Sequence, residues 1–349
     1  MSYRFFKLSI FSLIFIILPF VSSFAQQKKN TPKPPGKLID VGGYRLHINV
    51  IGKANPPVVL IAGAGDYSFD WSLVQSEVSR FVRCVSYDRA GLAWSDLGPT
   101  PRTMRQEAYE LRLLLRKAKI KPPFVLVGHS VGGLIARVYA ADYPMEVAGM
   151  VLVDSTTEDT TLNFQGKIVR VRDSAKNRTI PDFQTLASSP PKPPTKDDLE
   201  QAEFNKQVFG APKIAPPFDK LPSSIQSLRL WALRNPKLSA ATDDFWAEEL
   251  QAMYEARQKN PQPLGNLPLV VLIGTKDGGT PQGLTQEAWK KLFEEKVRQK
   301  ESLGNLSRNS KVIITPASGH HIQLEEPMLV VNAIRHVTSA ARHGTKLGP

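Results

Sequence analysis

The stretch Gly128–Gly132 places a serine between two glycines, in the pattern Gly-x-Ser-x-Gly. It follows the apolar run Phe124–Val127 and precedes a helical pattern that begins near Val131. A serine on a tight strand-to-helix turn projects its hydroxyl clear of the sheet, and glycines are needed where side chains would collide across the turn. The pattern therefore predicts that Ser130 is a nucleophile.

A serine hydroxyl is a poor nucleophile until a base removes its proton. His320 is the candidate base, because it follows the apolar run Lys311–Ile314 and would lie at the same sheet edge as Ser130. His321 is the adjacent competitor for this role. We expect His129, which lies within the turn itself, to be too constrained to act as the base.

The histidine needs an acid that fixes its tautomer and stabilises the imidazolium ion. Asp277 is our first choice, because it comes just after the apolar run Leu269–Gly274 and two glycines follow it, which suits a loop that bends back. Asp154 is the alternative, because it ends another apolar run at the same predicted edge. With Asp277, the three residues follow in the order Ser, Asp, His.

Stabilisation of a developing oxyanion requires two N–H donors close to the nucleophile. The backbone N–H of Val131, directly after Ser130, is one candidate. The other is the N–H of Ala64, in the small-residue loop 62–65 that follows the apolar run Val58–Ile61. A plain tight turn is the alternative interpretation of this loop.

Short apolar runs alternate with helical patterns along the chain. This alternation predicts an α/β fold with an eight-stranded, mostly parallel sheet and helices on both faces. The predicted strands are Lys37–Val41, Tyr44–Val50, Val58–Ile61, Val82–Tyr87, Phe124–Val127, Met150–Val153, Leu269–Gly274 and Lys311–Ile314, the first two joined as a hairpin. The predicted helices are Thr103–Ala118, Ser130–Asp142, Gln286–Lys300 and Pro327–Ala341.

One long stretch, residues 155–264, interrupts this alternation. It contains no convincing strand, and prolines are concentrated between Pro190 and Pro222. A structureless connection of this length is unusual in a compact domain, so we expect a mostly helical cap, with helices at Leu199–Phe209 and Thr242–Lys259. The core would then consist of residues 37–154 and 265–341, followed by a tail at 342–349.

The first 25 residues have the organisation of a secretory signal peptide. Arg4 and Lys7 precede an uncharged apolar run, and small residues at Ser23 and Ala25 suit cleavage. Residues 26–36 would form a flexible linker, and the mature protein would be secreted or periplasmic. An uncleaved membrane anchor is the alternative, since Leu8–Ala25 is close to the minimum length for a span.

The balance of charge is basic, at +13 for the chain and +11 once Arg4 and Lys7 are removed. The lysines are scattered through loops, so we expect a solvated surface and no nucleic-acid partner. Cys84 is the single cysteine and lies in an apolar run, which favours a buried side chain. No pair among the six histidines has a recognised metal-ligand spacing, and we expect neither metal nor cofactor.

Taken together, the motifs resemble those of the α/β-hydrolase superfamily, in its branch of serine hydrolases with a helical cap. Besides the turn at Ser130, the resemblance includes the loop 87–91 with Ser95-Asp96, and Trp71 after the loop at 62–65. It also includes Gly319-His320 followed by Leu324–Pro327. One departure is Ala62-Gly63, where the superfamily usually has His-Gly.

This resemblance implies an α/β-hydrolase fold and acyl transfer to water. A small, apolar carboxylic ester is the expected substrate, and a serine in the turn argues against dehalogenation of haloalkanes. A peptidase, a lactonase and a carbon–carbon bond hydrolase are the alternatives within the enzyme class. A ligand-binding protein with little turnover is the alternative outside it, because fold does not determine function.

Overall fold

The computed structural model describes residues 31–164, 166–176, 178–180, 200, 211–234 and 245–348. The chain divides into two compact units, Met1–Pro35 and Gly36–Pro349. The predicted signal peptide, residues 26–30 of the predicted linker and the predicted helix Leu199–Phe209, apart from Glu200, lie outside these ranges. Among the described residues no helix is both long and apolar enough to cross a membrane.

The second unit is built around an eight-stranded sheet, which confirms the predicted fold class. Two further strands, Thr161–Phe164 and Lys167–Arg170, form a separate pair. In chain order, the strands of the described residues are β1 (Lys37–Asp40), β2 (Arg45–Ile51), β3 (Val58–Ile61), β4 (Cys84–Tyr87), β5 (Phe124–His129), β6 (Val147–Val153), β7 (Thr161–Phe164), β8 (Lys167–Arg170), β9 (Leu269–Gly274) and β10 (Ser310–Thr315).

The order of the strands across the large sheet is β1-β2-β4-β3-β5-β6-β9-β10. The strand β2 is antiparallel to both β1 and β4, and the remaining neighbours are parallel. Their register aligns the carboxyl ends, since His129 is opposite Val153, which in turn is opposite Leu272. The residues that follow β3, β5, β6, β9 and β10 therefore start from one edge of the sheet.

Helices cover both faces of this sheet, as predicted. They are α1 (Ser72–Val78), α2 (Met104–Lys117), α3 (Val131–Asp142), α4 (Ser223–Leu233), α5 (Trp246–Lys259), α6 (Gln286–Glu301), α7 (Ile322–Glu325) and α8 (Pro327–His343). Successive strand residues point to opposite faces. One face packs against α2 and α3, and the other against α1 and α8. Cys84 is fully buried in the second of these layers, as predicted.

The inserted segment, residues 155–264 between β6 and β9, differs in part from the prediction. It begins with an antiparallel hairpin of β7 and β8, which the sequence analysis missed. Each of these strands has only four residues, and this is too short for a clear alternation of apolar and polar side chains. Two helices follow within the described part, α4 and α5, and the second begins at Trp246, four residues after the predicted start.

Candidate active site

Ser130 lies on the turn between β5 and α3, with backbone angles of φ 53° and ψ −124°. This left-handed conformation is strained for a residue with a side chain. The turn is tight enough that a Cβ on Gly128 would lie 2.4 Å from the carbonyl oxygen of Gly132, which explains the glycine at that position. The Ser130 hydroxyl lies 3.4 Å from Oγ1 of Thr156, within hydrogen-bond distance.

His320 and Asp154 form the shortest hydrogen bond to a histidine at this edge. Nδ1 of His320 lies 2.6 Å from Oδ2 of Asp154. The carboxylate is only 2% exposed, and its other oxygen accepts a hydrogen bond from the N–H of Gly274 at 3.0 Å. The carboxylate thus determines the tautomer of His320, because Nδ1 must carry the proton and Nε2 is left as the free base.

Asp277, our first choice for the acid, does not contact His320. Its carboxylate accepts hydrogen bonds from the N–H of Gly279 and from Nε1 of Trp289, at 2.8 and 3.1 Å, and it is exposed to solvent. The loop after β9 therefore bends back onto its own backbone and onto α6. The partner of His320 is Asp154, which corrects the prediction, because β6 lies next to β5 and delivers its last residue directly beside the turn of Ser130.

The loop after β3 approaches the nucleophile closely. A Cβ on Gly63 would lie 3.1 Å from Cβ of Ser130. The Gly63 carbonyl accepts hydrogen bonds from Nη2 of Arg89 at 2.8 Å and from the N–H of Asp66 at 3.3 Å. In a trans peptide the N–H points away from the carbonyl, so the N–H of Ala64 is directed away from Arg89.

Val131 supplies the second predicted donor, and it is the first residue of α3. An N–H in the first turn of a helix has no partner within that helix. Across the described ranges, neither the Val131 N–H nor the Ala64 N–H donates to a backbone acceptor. Their role as oxyanion donors stays a prediction.

His129, at the end of β5, contacts both the loop after β3 and the loop after β10. Its Nδ1 lies 3.1 Å from Oδ2 of Asp66, and its Nε2 lies 2.9 Å from the carbonyl oxygen of His320. Both ring nitrogens thus lie within hydrogen-bond distance of an oxygen. The ring centroid of His129 is 4.7 Å from that of His320, so the base lies directly beside the residue that precedes Ser130. That His129 does not act as the base stays a prediction.

Arg229, on α4 of the inserted segment, extends this network. Its guanidinium forms ion pairs with Asp70 and, at 3.5 Å, with Asp66. The ring of Phe218 packs against the same guanidinium, with the Arg229 Cζ 3.4 Å from the ring centroid. The inserted segment is therefore connected through Asp66 and His129 to the backbone of His320.

Lys300, on α6, also reaches the site. Its Nζ lies 2.6 Å from Oδ2 of Asp154, the oxygen that accepts the hydrogen bond from His320. Burial raises the pKa of the Asp154 carboxyl, but the charge of Lys300 and the hydrogen bond with His320 outweigh it and lower the pKa to about 2. Asp154 is therefore ionised throughout the physiological pH range.

His321, the competing candidate base, faces Asp66 with Nε2 at 3.8 Å from the carboxylate and packs against Phe218. Burial and the charge of His129 lower the pKa of His321 to about 4. Asp66, His129 and His321 each have a potential ligand atom, and these atoms are close enough together to coordinate one metal ion. The oxygens of Asp66 already interact with His129 and Arg229, so we assign no metal to this cluster.

Four residues of this site were missed by the sequence analysis: Asp66, Thr156, Arg229 and Lys300. Asp66 and Thr156 lie within two residues of positions that the sequence did identify, so proximity was a usable signal for both. Arg229 and Lys300 belong to helices more than 70 residues from their partners, and no spacing in the sequence indicates those contacts.

Known proteins share this architecture. Residues 58–334 match the model of the "Alpha/beta hydrolase family". The chain is 28% identical over 320 residues to "Probable transporter efuK" of Hormonema carpetanum, covering 86% of this chain and 42% of that longer protein.

Two solved structures show the same fold. An esterase from Thermogutta terrifontis has a TM-score of 0.58 and 20% identity, with 85% of this chain and 94% of that chain covered. The epoxide hydrolase CorEH has a TM-score of 0.54 and 15% identity, with 86% and 96% covered. Since the family model spans most of the chain, this protein belongs to the α/β-hydrolase family.

Proposed function

We propose that the protein is a serine hydrolase that cleaves small apolar carboxylic esters through Ser130, His320 and Asp154. The observation that carries this proposal is the 2.6 Å hydrogen bond between His320 and Asp154, beside a serine held in a strained turn. A serine, a histidine with a fixed tautomer and a buried carboxylate are the three groups that acyl transfer to serine requires.

In the first half of the reaction, the Ser130 oxygen attacks the ester carbonyl while Nε2 of His320 takes the hydroxyl proton. The carbonyl oxygen becomes an oxyanion, and the N–H groups of Ala64 and Val131 donate hydrogen bonds to it. Collapse of this intermediate breaks the bond to the alcohol oxygen, which leaves with the proton from His320. Ser130 is then acylated.

In the second half, His320 takes a proton from water, and the resulting hydroxide attacks the acyl-enzyme carbonyl. The same two N–H groups stabilise the second oxyanion. The bond to the Ser130 oxygen breaks, His320 returns the proton to that oxygen, and the carboxylic acid leaves. Asp154 remains ionised throughout and stabilises the imidazolium form of His320 in both halves.

The experiment is a panel of p-nitrophenyl esters, from acetate to decanoate, tested with wild type and with Ser130→Ala. We expect the variant to lose kcat about 10⁴-fold or more, as removal of a serine nucleophile does. Ser76→Ala, which removes an exposed hydroxyl on α1, is the matched control and should behave as wild type. A fluorophosphonate should label wild type at Ser130 and leave the variant unlabelled.

Two results would contradict the proposal. Equal ester cleavage by wild type and Ser130→Ala would mean that another group is the nucleophile. Absence of both cleavage and labelling in wild type would favour the alternatives, which are a peptide, lactone or carbon–carbon bond substrate, or a binding role.

The inserted segment and the N-terminus are included in the proposal. We propose that residues 155–264 act as a cap that selects the substrate, supported by the contact of Arg229 with the loop after β3.

We also propose secretion or export to the periplasm with removal of residues 1–25, supported by the charged start, apolar run and small residues before Gln26. Sequencing of the mature N-terminus tests this, and an intact Met1 would favour the membrane anchor.

A further inference from the structure

Lys300 and His320 bind the same oxygen of Asp154. The Lys300 Nζ and the His320 Nδ1 each lie 2.6 Å from Oδ2. The third donor, the N–H of Gly274, binds the other oxygen, Oδ1. Asp154 is 2% exposed and Lys300 is 21% exposed, so the ion pair lies largely out of solvent. One negative charge is thus shared between a permanent cation and the ring that must become a cation during the reaction.

We propose that Lys300 is a positioning residue for the base: by sharing Oδ2 of Asp154, it keeps His320 unprotonated, and so able to accept the Ser130 proton, at mildly acidic pH. This inference rests on the proposed function for its consequence in turnover. The contact itself is independent of which substrate is cleaved.

The physical reason lies in the balance of charge around the imidazole. A buried carboxylate next to a histidine favours the imidazolium ion, whereas a nearby positive charge disfavours it. Desolvation lowers the pKa of His320 below its usual value, and the charges of His129 and Lys300 lower it further, against the hydrogen bond with Asp154. Since 48% of the His320 side chain is exposed, solvent screens part of each charge.

Other charged groups lie on the elements around the base. His129, at the end of β5, acts on the His320 ring itself. Asp66 after β3 and Arg229 on α4 act on His321, the next residue in the chain. Lys296, one turn before Lys300 on α6, interacts with Asp154, and Glu325 accepts from the Gly319 N–H and pairs with Lys276. Asp66, His129 and Arg229 compensate one another within their own network. Lys300 is bonded directly to the Asp154 carboxylate.

Titration of His320 by NMR tests this directly. The protein is labelled with ¹³C at the histidine Cε1 positions, and His320→Gln assigns the signal. In Lys300→Met we expect the His320 midpoint to move up by about one pH unit, the size of effect typical of a neighbouring charge. Lys291→Met, which removes an exposed lysine from the same helix, is the matched control and should leave the midpoint unchanged. Lys300→Arg should restore most of the wild-type midpoint.

The pH dependence of kcat/KM for an ester provides the second readout. We expect its acid limb to move by the same amount, so that wild type exceeds Lys300→Met about tenfold at pH 5 and equals it near pH 8. Lys300→Gln serves as a second variant if Lys300→Met does not fold.

The outcomes separate the two proposals. An unchanged His320 midpoint in a folded Lys300 variant, or an equal rise in Lys291→Met, would overturn the role of Lys300. If wild type cleaves no ester, the proposed function fails, while the NMR titration still decides whether Lys300 controls the protonation of His320.

Discussion

Asp154 and Asp277 both follow a parallel strand at the same edge of the sheet, yet their surroundings are opposite. Asp154 comes directly after β6, is nearly inaccessible, and accepts hydrogen bonds from His320, Lys300 and Gly274. Asp277 is exposed, and its carboxylate contacts its own loop and α6. A strand end therefore brings a residue to the correct edge, but the neighbouring strands and helices decide whether its charge reaches the base.

The largest expected effect is on kcat, and it should distinguish the carboxylate of Asp154 from that of Asp277. Asp154→Asn should reduce kcat for the best ester about 10⁴-fold, because the amide favours the wrong tautomer of His320 and no longer stabilises the imidazolium ion. Asp277→Asn should stay within about twofold of wild type, as surface substitutions generally do. Steady-state kinetics of both variants checks this. A large loss in Asp277→Asn with a small one in Asp154→Asn would restore the order Ser, Asp277, His320.

The next effect is on stability and its pH dependence. The pKa of the Asp154 carboxyl falls from 3.8 to about 2 in the folded protein, because the charge of Lys300 and the hydrogen bond with His320 outweigh burial. A group with a depressed folded pKa stabilises the fold above its unfolded pKa, and this contribution disappears as pH falls through the folded value. Asp154 should therefore contribute about 2 kcal/mol at pH 7, which is lost between about pH 4 and pH 2.

Urea unfolding at several pH values measures this contribution. The difference in the free energy of unfolding between wild type and Asp154→Asn should be largest above pH 5 and should shrink by about 2 kcal/mol by pH 2. Asp277→Asn, at pH 7, should unfold within about 0.5 kcal/mol of wild type. If the difference in the free energy of unfolding between wild type and Asp154→Asn stays constant across this pH range, the native contacts of Asp154 do not favour its ionised form.

The elements of the core were predictable because their signals are local. The strands Val58–Ile61 and Leu269–Gly274 were predicted with the bounds that the structure shows. Helix α2 begins one residue after its predicted start, because the side chain of Thr103 caps it by accepting from the Gln106 N–H. The turn at Ser130 was equally recognisable, since glycine is the only residue that fits the close approach at Gly128.

The choice of acid was not predictable, because the sequence presents both aspartates in the same way. Each follows an apolar strand, and the glycines after Asp277 favoured the wrong one. What distinguishes them is contact with His320 and Lys300, which are 166 and 146 positions from Asp154 in the chain. Short-range patterns determine where a strand ends, whereas the lateral order of strands and the packing of distant helices determine which side chains meet there.

Asp66 is a third aspartate to compare with Asp154 and Asp277, and its substitution has the smallest expected effect. Like Asp154 it is buried and multiply bonded, but its partners are His129 and Arg229 rather than the base. In Asp66→Asn the charge that balances His129 is lost, and the turns carrying Ala64 and Ser130 lose part of their common support. A small displacement of reacting groups is costly in rate, so we expect kcat to fall about tenfold with KM nearly unchanged.

Steady-state kinetics of Asp66→Asn on the best ester gives kcat and KM separately. Asp277→Asn again serves as the exposed control. The His320 titration in the same variant gives an independent readout of whether the loop after β3 influences the base. If kcat in Asp66→Asn equals that of wild type, His129 does not depend on the carboxylate for its position. Burial and multiple hydrogen bonds would then not be sufficient to make an aspartate at this edge important, and the contact of Asp154 with the base itself would be what sets it apart.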